Sequence, residues 1–176
     1  VQEVNISTEK LKKFSSRLLL VYTGISRHAS KVAKDQIKNF EKKSINIDRL
    51  QQMSKEGRDI LEKNRDLDEF GVLLNEGWMR KKDISKNISN KTIDDIYQLG
   101  IKNGALGGKL LGAGSGGFVL FFSKEDKLNI LKNAFRDFSF LPLNIGQSGL
   151  VINTEQNTSS YNVFQRNIWT NNNDEG

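Results

Sequence analysis

The chain has 176 residues, 36% of them hydrophobic, and 27 Lys and Arg against 21 Asp and Glu give it a net charge of +6. That length suits one ordinary domain, or two small ones, with a core that needs no staples. Cysteine is absent and His28 is the one histidine, which excludes disulfides, a catalytic thiol, Cys-type zinc sites and His-rich metal centres.

No apolar run approaches the roughly 20 residues of a membrane helix, so no membrane partner is expected. The chain opens on Val1-Gln2-Glu3-Val4, without an initiator methionine or a visible secretory signal. We therefore expect a cytoplasmic protein and a piece of a longer one. Basic residues concentrate at Lys10–Lys13, Lys31–Lys43 and Arg80–Lys91. They fall among periodic apolar positions, as on solvated helix faces, and they also suit an anionic substrate. No Arg-rich helix or aromatic stacking motif accompanies them, so nucleic acid is not expected.

In chain order, Ser7 to Phe14 has the Ser/Thr start of a short helix. Leu18 to Tyr22 is a continuous apolar run, as in a buried strand, and Thr23-Gly24 ends it. Ser26 or Ser30 can cap a following helix with Val32, Ala33, Ile37 and Phe40 on its inner face. A second helix starts at Asn46 or Asp48, with Ile47, Leu50, Met53, Ile60 and Leu61 at helical spacing. A third opens at Asp66 or Asp68 and buries Phe70, Leu73, Leu74 and Trp78. A fourth runs from about Lys91 to Asn103, with Ile93, Ile96, Tyr97 and Ile101 inward, and Gly104 ends it. Lys109 to Leu111 reads as short and extended, and Phe118 to Phe122 as the clearest strand. Ser123 is expected to cap a helix reaching Phe135, and Gln147 to Asn153 to form a final strand after Pro142.

Collapsing the helical insert gives β-α-β-β-α-β. This is the α+β split-βαβ (ferredoxin-like) plan, an antiparallel sheet with helices expected on one face and a multi-helix insertion. The domain is expected to span residues 1–153. Residues 154–176 form a polar tail, in which Tyr161, Phe164, Ile168 and Trp169 could dock a short element.

Seven of the fourteen residues from Gly104 to Gly117 are glycine. Glycine lets a backbone turn tightly and approach a ligand, and successive free N–H groups make an anion-binding nest. A Walker A loop requires Ser or Thr after its lysine, but Leu110 follows Gly108-Lys109. A Rossmann pattern is formally present at Gly112, Gly114 and Gly117, yet it opens into Phe118–Phe122, a strand and not a helix. What remains is a glycine loop between two strands.

The run Gly104-Ala105-Leu106-Gly107-Gly108-Lys109-Leu110-Leu111-Gly112-Ala113-Gly114-Ser115-Gly116-Gly117-Phe118 resembles the third, C-terminal motif of the GHMP kinases. That family includes galactokinases, homoserine kinases and mevalonate kinases. Leu18 through Arg27 resembles the strand and turn opening the C-terminal domain in its heptose-phosphate kinase branch. Leu73-Leu74-Asn75-Glu76-Gly77-Trp78, with Lys81 and Lys82, and Ile88-Ser89-Asn90 are similar to that branch as well. The resemblance covers roughly residues 1–153 and implies the split-βαβ fold. It also implies ATP-dependent phosphorylation of the anomeric hydroxyl of D-glycero-D-manno-heptose 7-phosphate.

Two family features are absent from these residues: the P-x-x-x-G-L-G-S-S-type loop that cradles ATP, and the carboxylate assigned as catalytic base. Both belong to an N-terminal domain. The resemblance thus implies a C-terminal, substrate-side half, with ATP and Mg2+ bound mainly by a missing N-terminal kinase domain. This chain alone should be inactive and hold no catalytic residue or metal ligand. Apolar surface left bare by that missing half leaves self-association open.

The candidate phosphate and substrate loop is Gly112, Ala113, Gly114, Ser115, Gly116 and Gly117, acting through its backbone. Lys109 at its entrance either neutralises phosphate charge or is a strand-edge lysine. Arg27, in the first turn of a helix, is the candidate for the substrate's distal phosphate. His28 beside it reads as structural. Glu76 stands four residues before Arg80, the spacing of a surface ion pair and not of a base. Asp94 and Asp95 suit the positive end of a helix dipole. An alternative of another class is a non-catalytic ligand-binding or regulatory module of the same fold.

Overall fold

Two strands that each carry five apolar residues in a row, Leu18–Tyr22 (β1) and Phe118–Ser123 (β3), pair antiparallel at the centre of a four-stranded sheet. A computed structural model describes residues 3–25, 44–84, 88–112, 116–141, 143 and 145, without the side chains of 44–47 and 84. All but the last of these lie in one unit, Val1–Leu143. Ala105–Leu110 (β2) pairs with β3, and Phe140–Leu141 (β4) pairs with β1, in the order β2-β3-β1-β4. Every pairing is antiparallel, and β3 separates β1 from β2, as the split-βαβ plan requires. The α+β reading of the sequence therefore holds.

Five helices accompany the sheet among the described residues: Thr8–Ser15 (α1), Ser44–Glu62 (α2), Asp68–Ile84 (α3), Lys91–Lys102 (α4) and Leu128–Ala134 (α5). Their starts follow local chemistry. Ser7 Oγ accepts from Lys10 N at the head of α1, and Asn90 Oδ1 from Ile93 N at the head of α4. Asp66 Oδ1 accepts from Asp68 N where α3 begins. Gly104, at φ +100°, turns the chain out of α4 into β2.

Side chains of a strand alternate between faces. Leu19, Val21, Val119 and Phe121 join Ile93, Ile96 and Tyr97 of α4, Leu131 of α5, Phe135 just beyond it and Trp78 in one buried cluster. Leu18 and Phe122 join Phe14 of α1, Ile60 of α2 and Leu67 in a second. Helices thus contribute to clusters of both parities, and the expectation of helices on one face is corrected. This double burial is why β1 and β3 are apolar without alternation. Phe14, Phe70 and Phe122 pack ring on ring, with centroids 4.8 to 5.5 Å apart.

Other expectations also change. The stretch expected to be extended only from Lys109 to Leu111 is strand from Ala105 onward, so Gly107 and Gly108 are sheet residues. Ser123 does not cap a helix. It ends β3, wholly buried, where its N–H and Oγ both donate to Arg17 O. Arg17 in turn donates from Nε to Ser123 O, pairs with Asp68 and lies 4.5 Å over the Phe122 ring. The helix expected from Ser123 instead begins at Leu128, with Lys127 as its N-cap. The fourth strand is a two-residue element just before Pro142, placed where the sequence showed only a connection. The expected helix around Val32–Phe40, the expected strand Gln147–Asn153 and the tail from 154 lie outside the described residues.

Candidate functional site

The glycine loop joins β2 to β3, and neighbouring elements grip its two ends. At the base of the hairpin Leu111 N donates to Phe118 O at 2.8 Å. At the exit, Gly117 N donates to Ile25 O at 2.9 Å, and Gly117 O accepts from both Thr23 N (2.9 Å) and Thr23 Oγ1 (2.8 Å). The turn that closes β1 therefore fixes where the loop enters β3. Gly116 lies so close to this turn that a Cβ would stand 2.6 Å from Ile25 O. The sequence places Gly117 in the anion-contacting backbone, but its N–H is committed to Ile25.

The entrance is held by one side chain. Lys81, from the last turn of α3, donates from Nζ to Gly112 O at 3.2 Å. Gly112 has φ +84° and open space where a Cβ would be, so its glycine serves conformation and not packing. Gly107 is the opposite case. A Cβ there would lie 2.0 Å from Gly71 O, because the backbones of α3 and β2 meet without side chains between them.

Lys109 lies half-buried on β2, close enough to Lys81 for the two charges to repel. Among the described residues no carboxylate pairs with either lysine. Burial, and then the neighbouring Lys109 charge, hold the Lys81 ammonium below the usual lysine range. Both lysines line a cleft of about 510 Å³, whose other walls include Met53, Leu74 and Trp78. Trp78 is buried, and among the described residues its Nε1 has no hydrogen-bond partner. Tyr97, whose ring lies 6.0 Å from that of Trp78, donates from Oη to Asn75 Oδ1 at 2.6 Å, and burial pushes its phenol up to about 12, so it stays protonated.

Glu76 does make the expected pair with Arg80, at 2.8 Å, and it also binds Arg49 through both oxygens. Hydrogen bonds from Arg49 and then Arg80 hold its carboxyl down at about 2, far too weak a base for neutral pH. Asp94 and Asp95 are ion-pair partners of Lys82 and Lys91. Arg27, His28, Ala113, Gly114 and Ser115 lie outside the described residues. Lys81 and Thr23 are the residues whose roles at the loop the sequence reading missed. Lys81 carried one signal: it follows Trp78 by three positions and so shares the buried side of α3.

Among the described residues no group of three or more His, Asp or Glu stands where a metal ion could be held. Among the described residues the groups at the ends of the loop are an ammonium, one hydroxyl and main-chain atoms, which fit the phosphates of a nucleotide or substrate better than Mg2+.

The family profile described as "GHMP kinases C terminal" matches residues 58–139, from α2 through the glycine loop to the end of α5 and beyond. The chain carries a GHMP kinase C-terminal domain. This GHMP kinase domain is similar to D-glycero-alpha-D-manno-heptose 7-phosphate kinase of Campylobacter jejuni, with 34% identity over 80% of the chain and 44% of that enzyme. It is similar to the bifunctional fucokinase/GDP-fucose pyrophosphorylase of Arabidopsis thaliana, with 30% identity over 68% of the chain and 12% of that protein. Its fold is similar to the crystal structure of L. major mevalonate kinase, with a TM-score of 0.59 and 27% identity over 68% of the chain and 37% of that structure. The chain thus spans less than half the length of each. Among the described residues no helix is long and apolar enough to cross a membrane.

Proposed function

We propose that this GHMP kinase domain is the acceptor-side half of an enzyme that transfers the γ-phosphoryl of ATP to the anomeric hydroxyl of a heptose 7-phosphate. The observation that carries the reading is the glycine loop itself, gripped by Lys81 at its entrance and by the β1 turn at its exit, with Lys109 beside it and no carboxylate partner. Catalysis of phosphoryl transfer is mostly positioning and charge stabilisation, which a fixed loop and two ammonium groups can supply. The similarity to the Campylobacter enzyme favours the heptose acceptor.

In this reading the O1–P bond forms, the bond from the γ-phosphorus to the β–γ bridging oxygen breaks, and ADP leaves. The hydroxyl proton goes to a base in the N-terminal half, since Glu76 is locked to two arginines. Lys109 and the backbone of Gly112 to Gly116 face the phosphoryl group, and Arg27 takes the distal phosphate. The strong pairing of Glu76 also favours the second reading for the isolated chain, a ligand-binding module without catalysis.

The test joins this chain to an N-terminal GHMP kinase half and follows ATP and heptose 7-phosphate by phosphorus NMR. A 1,7-bisphosphate with anomeric coupling is expected. Gly114→Val should lower its rate on the order of a hundredfold by misplacing the loop. Unchanged activity in that variant would remove the loop from the mechanism. Tight ATP binding by the isolated chain would contradict the placement of the nucleotide loop elsewhere.

A further inference from the structure

We propose that Lys81 and Lys109 together form a phosphate site at the mouth of the cleft between α2 and α3, taking the dianion of a phosphate monoester. The assignment of that ester to the 7-phosphate of the acceptor sugar rests on the kinase reading above and replaces the roles given there to Arg27 and Lys109; the phosphate site itself does not rest on it.

Three features of the cleft converge. The first is a pair of ammonium groups without a carboxylate between them. Like charges so close are unfavourable unless something negative joins them, yet the described neighbours of Lys81 supply only the Gly112 carbonyl. An ammonium has three donors, so two remain for a ligand. The second is the lining of the same cleft, which among the described residues holds Lys81, Lys109 and Arg58 and no Asp or Glu. The cleft therefore offers donors in excess of acceptors, the complement of an oxyanion. The third is the apolar lining from Met53, Phe70 and Leu74. It desolvates Lys81, and a charge pair gains strength as the local dielectric falls. Desolvation is the leading cause of the lowered Lys81 basicity, a cost that a bound dianion would offset.

The site also explains why Lys81 touches Gly112. A phosphate held on Lys81 would be fastened through the same nitrogen to the entrance of the glycine loop. Occupation of the site would then hold loop and acceptor in one register.

The probe is inorganic phosphate on the intact chain. Lysine acetylation rates are read site by site by mass spectrometry, in phosphate and in chloride of equal ionic strength. Phosphate should slow Lys81 and Lys109 at least several-fold and leave exposed Lys132 unchanged. Lys109→Met should raise the phosphate concentration needed to protect Lys81 on the order of tenfold, about 1.4 kcal/mol. Equal slowing of all lysines, or the same slowing in chloride, would overturn the site. Two further arms identify the ester. Heptose 7-phosphate protecting at lower concentration than ADP supports the acceptor, and the reverse order overturns that assignment. In the joined kinase, Lys81→Met should raise KM for the sugar phosphate on the order of tenfold, besides any loss of kcat from the released loop, and Lys81→Arg should restore part of the KM. A fall in kcat alone would overturn the binding role. Protection by phosphate in a chain that never turns heptose over would support the site while sinking the proposed substrate.

Discussion

Gly107 and Gly112 sit five residues apart in one glycine-rich run, and the structure separates them. At Gly107 the absent Cβ is what lets α3 and β2 touch, since an added methyl would lie 2.0 Å from Gly71 O. At Gly112 there is room, and only the φ of +84° calls for glycine. Gly107→Ala should therefore cost about 3 kcal/mol or more, at the upper end of overpacking, because backbone cannot yield as a side chain can. Gly112→Ala should cost only about 1 kcal/mol, the strain of a left-handed residue with a Cβ. Urea unfolding of the two variants measures both, and equal costs would show that the close approach is not real. The sequence displayed the seven glycines but not this division. A count of glycine does not say whether its hydrogen faces a helix backbone or solvent. Lys81 was hidden in the same way: its partner is a carbonyl thirty-one residues on, and no local spacing encodes that.

Elements with strong local chemistry were the most legible. Asn90 was recognisable only as the residue before a helix, yet its Oδ1 caps Ile93 N at 3.1 Å. Asn90→Ala should lower stability by about 1 kcal/mol, seen as a shifted urea midpoint with an unchanged slope. β1 and β3 were readable because burial on two faces leaves a continuous apolar run, and α4 because Ile93, Ile96 and Tyr97 fall on one stripe. β2 was read too short because glycine disfavours strands intrinsically, and here tertiary packing against α3 overrides that preference. β4 was missed for another reason. Two residues, Phe140 and Leu141, carry no periodicity at all, and only their pairing with Val21 and Leu20 makes them a strand. α5 was started too early because Ser123 looks like a cap, while its hydroxyl is spent on Arg17 O across the sheet.

For the whole molecule, the sheet with helices contributing to clusters of both parities explains how a chain of 36% hydrophobic residues fills two clusters. Long-range ion pairs tie the helical insertion together: Arg49 of α2 binds Glu56 on its own helix and Glu76 on α3. Glu76 has its carboxyl lowered from 4.5 to about 2 by Arg49 first and Arg80 second. A carboxyl lowered on folding contributes stability above its unfolded value, and that contribution is lost as pH falls through the folded one. Stability should therefore decline between pH 4.5 and 2 more steeply in the wild-type chain than in Glu76→Gln, with the two curves converging near pH 2. Urea midpoints across that range test it, and parallel curves would show that the α2–α3 pairing adds nothing to the fold. Raised salt should narrow the difference, since these groups are partly exposed.

The two grips on the glycine loop differ in the kind of atom that makes them. At the exit two of the three bonds run between main-chain atoms of Thr23, Ile25 and Gly117, so substitution at Ile25 leaves its carbonyl in place. At the entrance a single lysine nitrogen reaches across from α3. The position of the exit is therefore inherited from the sheet and changes only if the sheet does. Past the main-chain bond of Leu111 to Phe118, the entrance is held by one side chain, so descendants of this sequence could retune the loop by altering residue 81 while keeping the architecture intact.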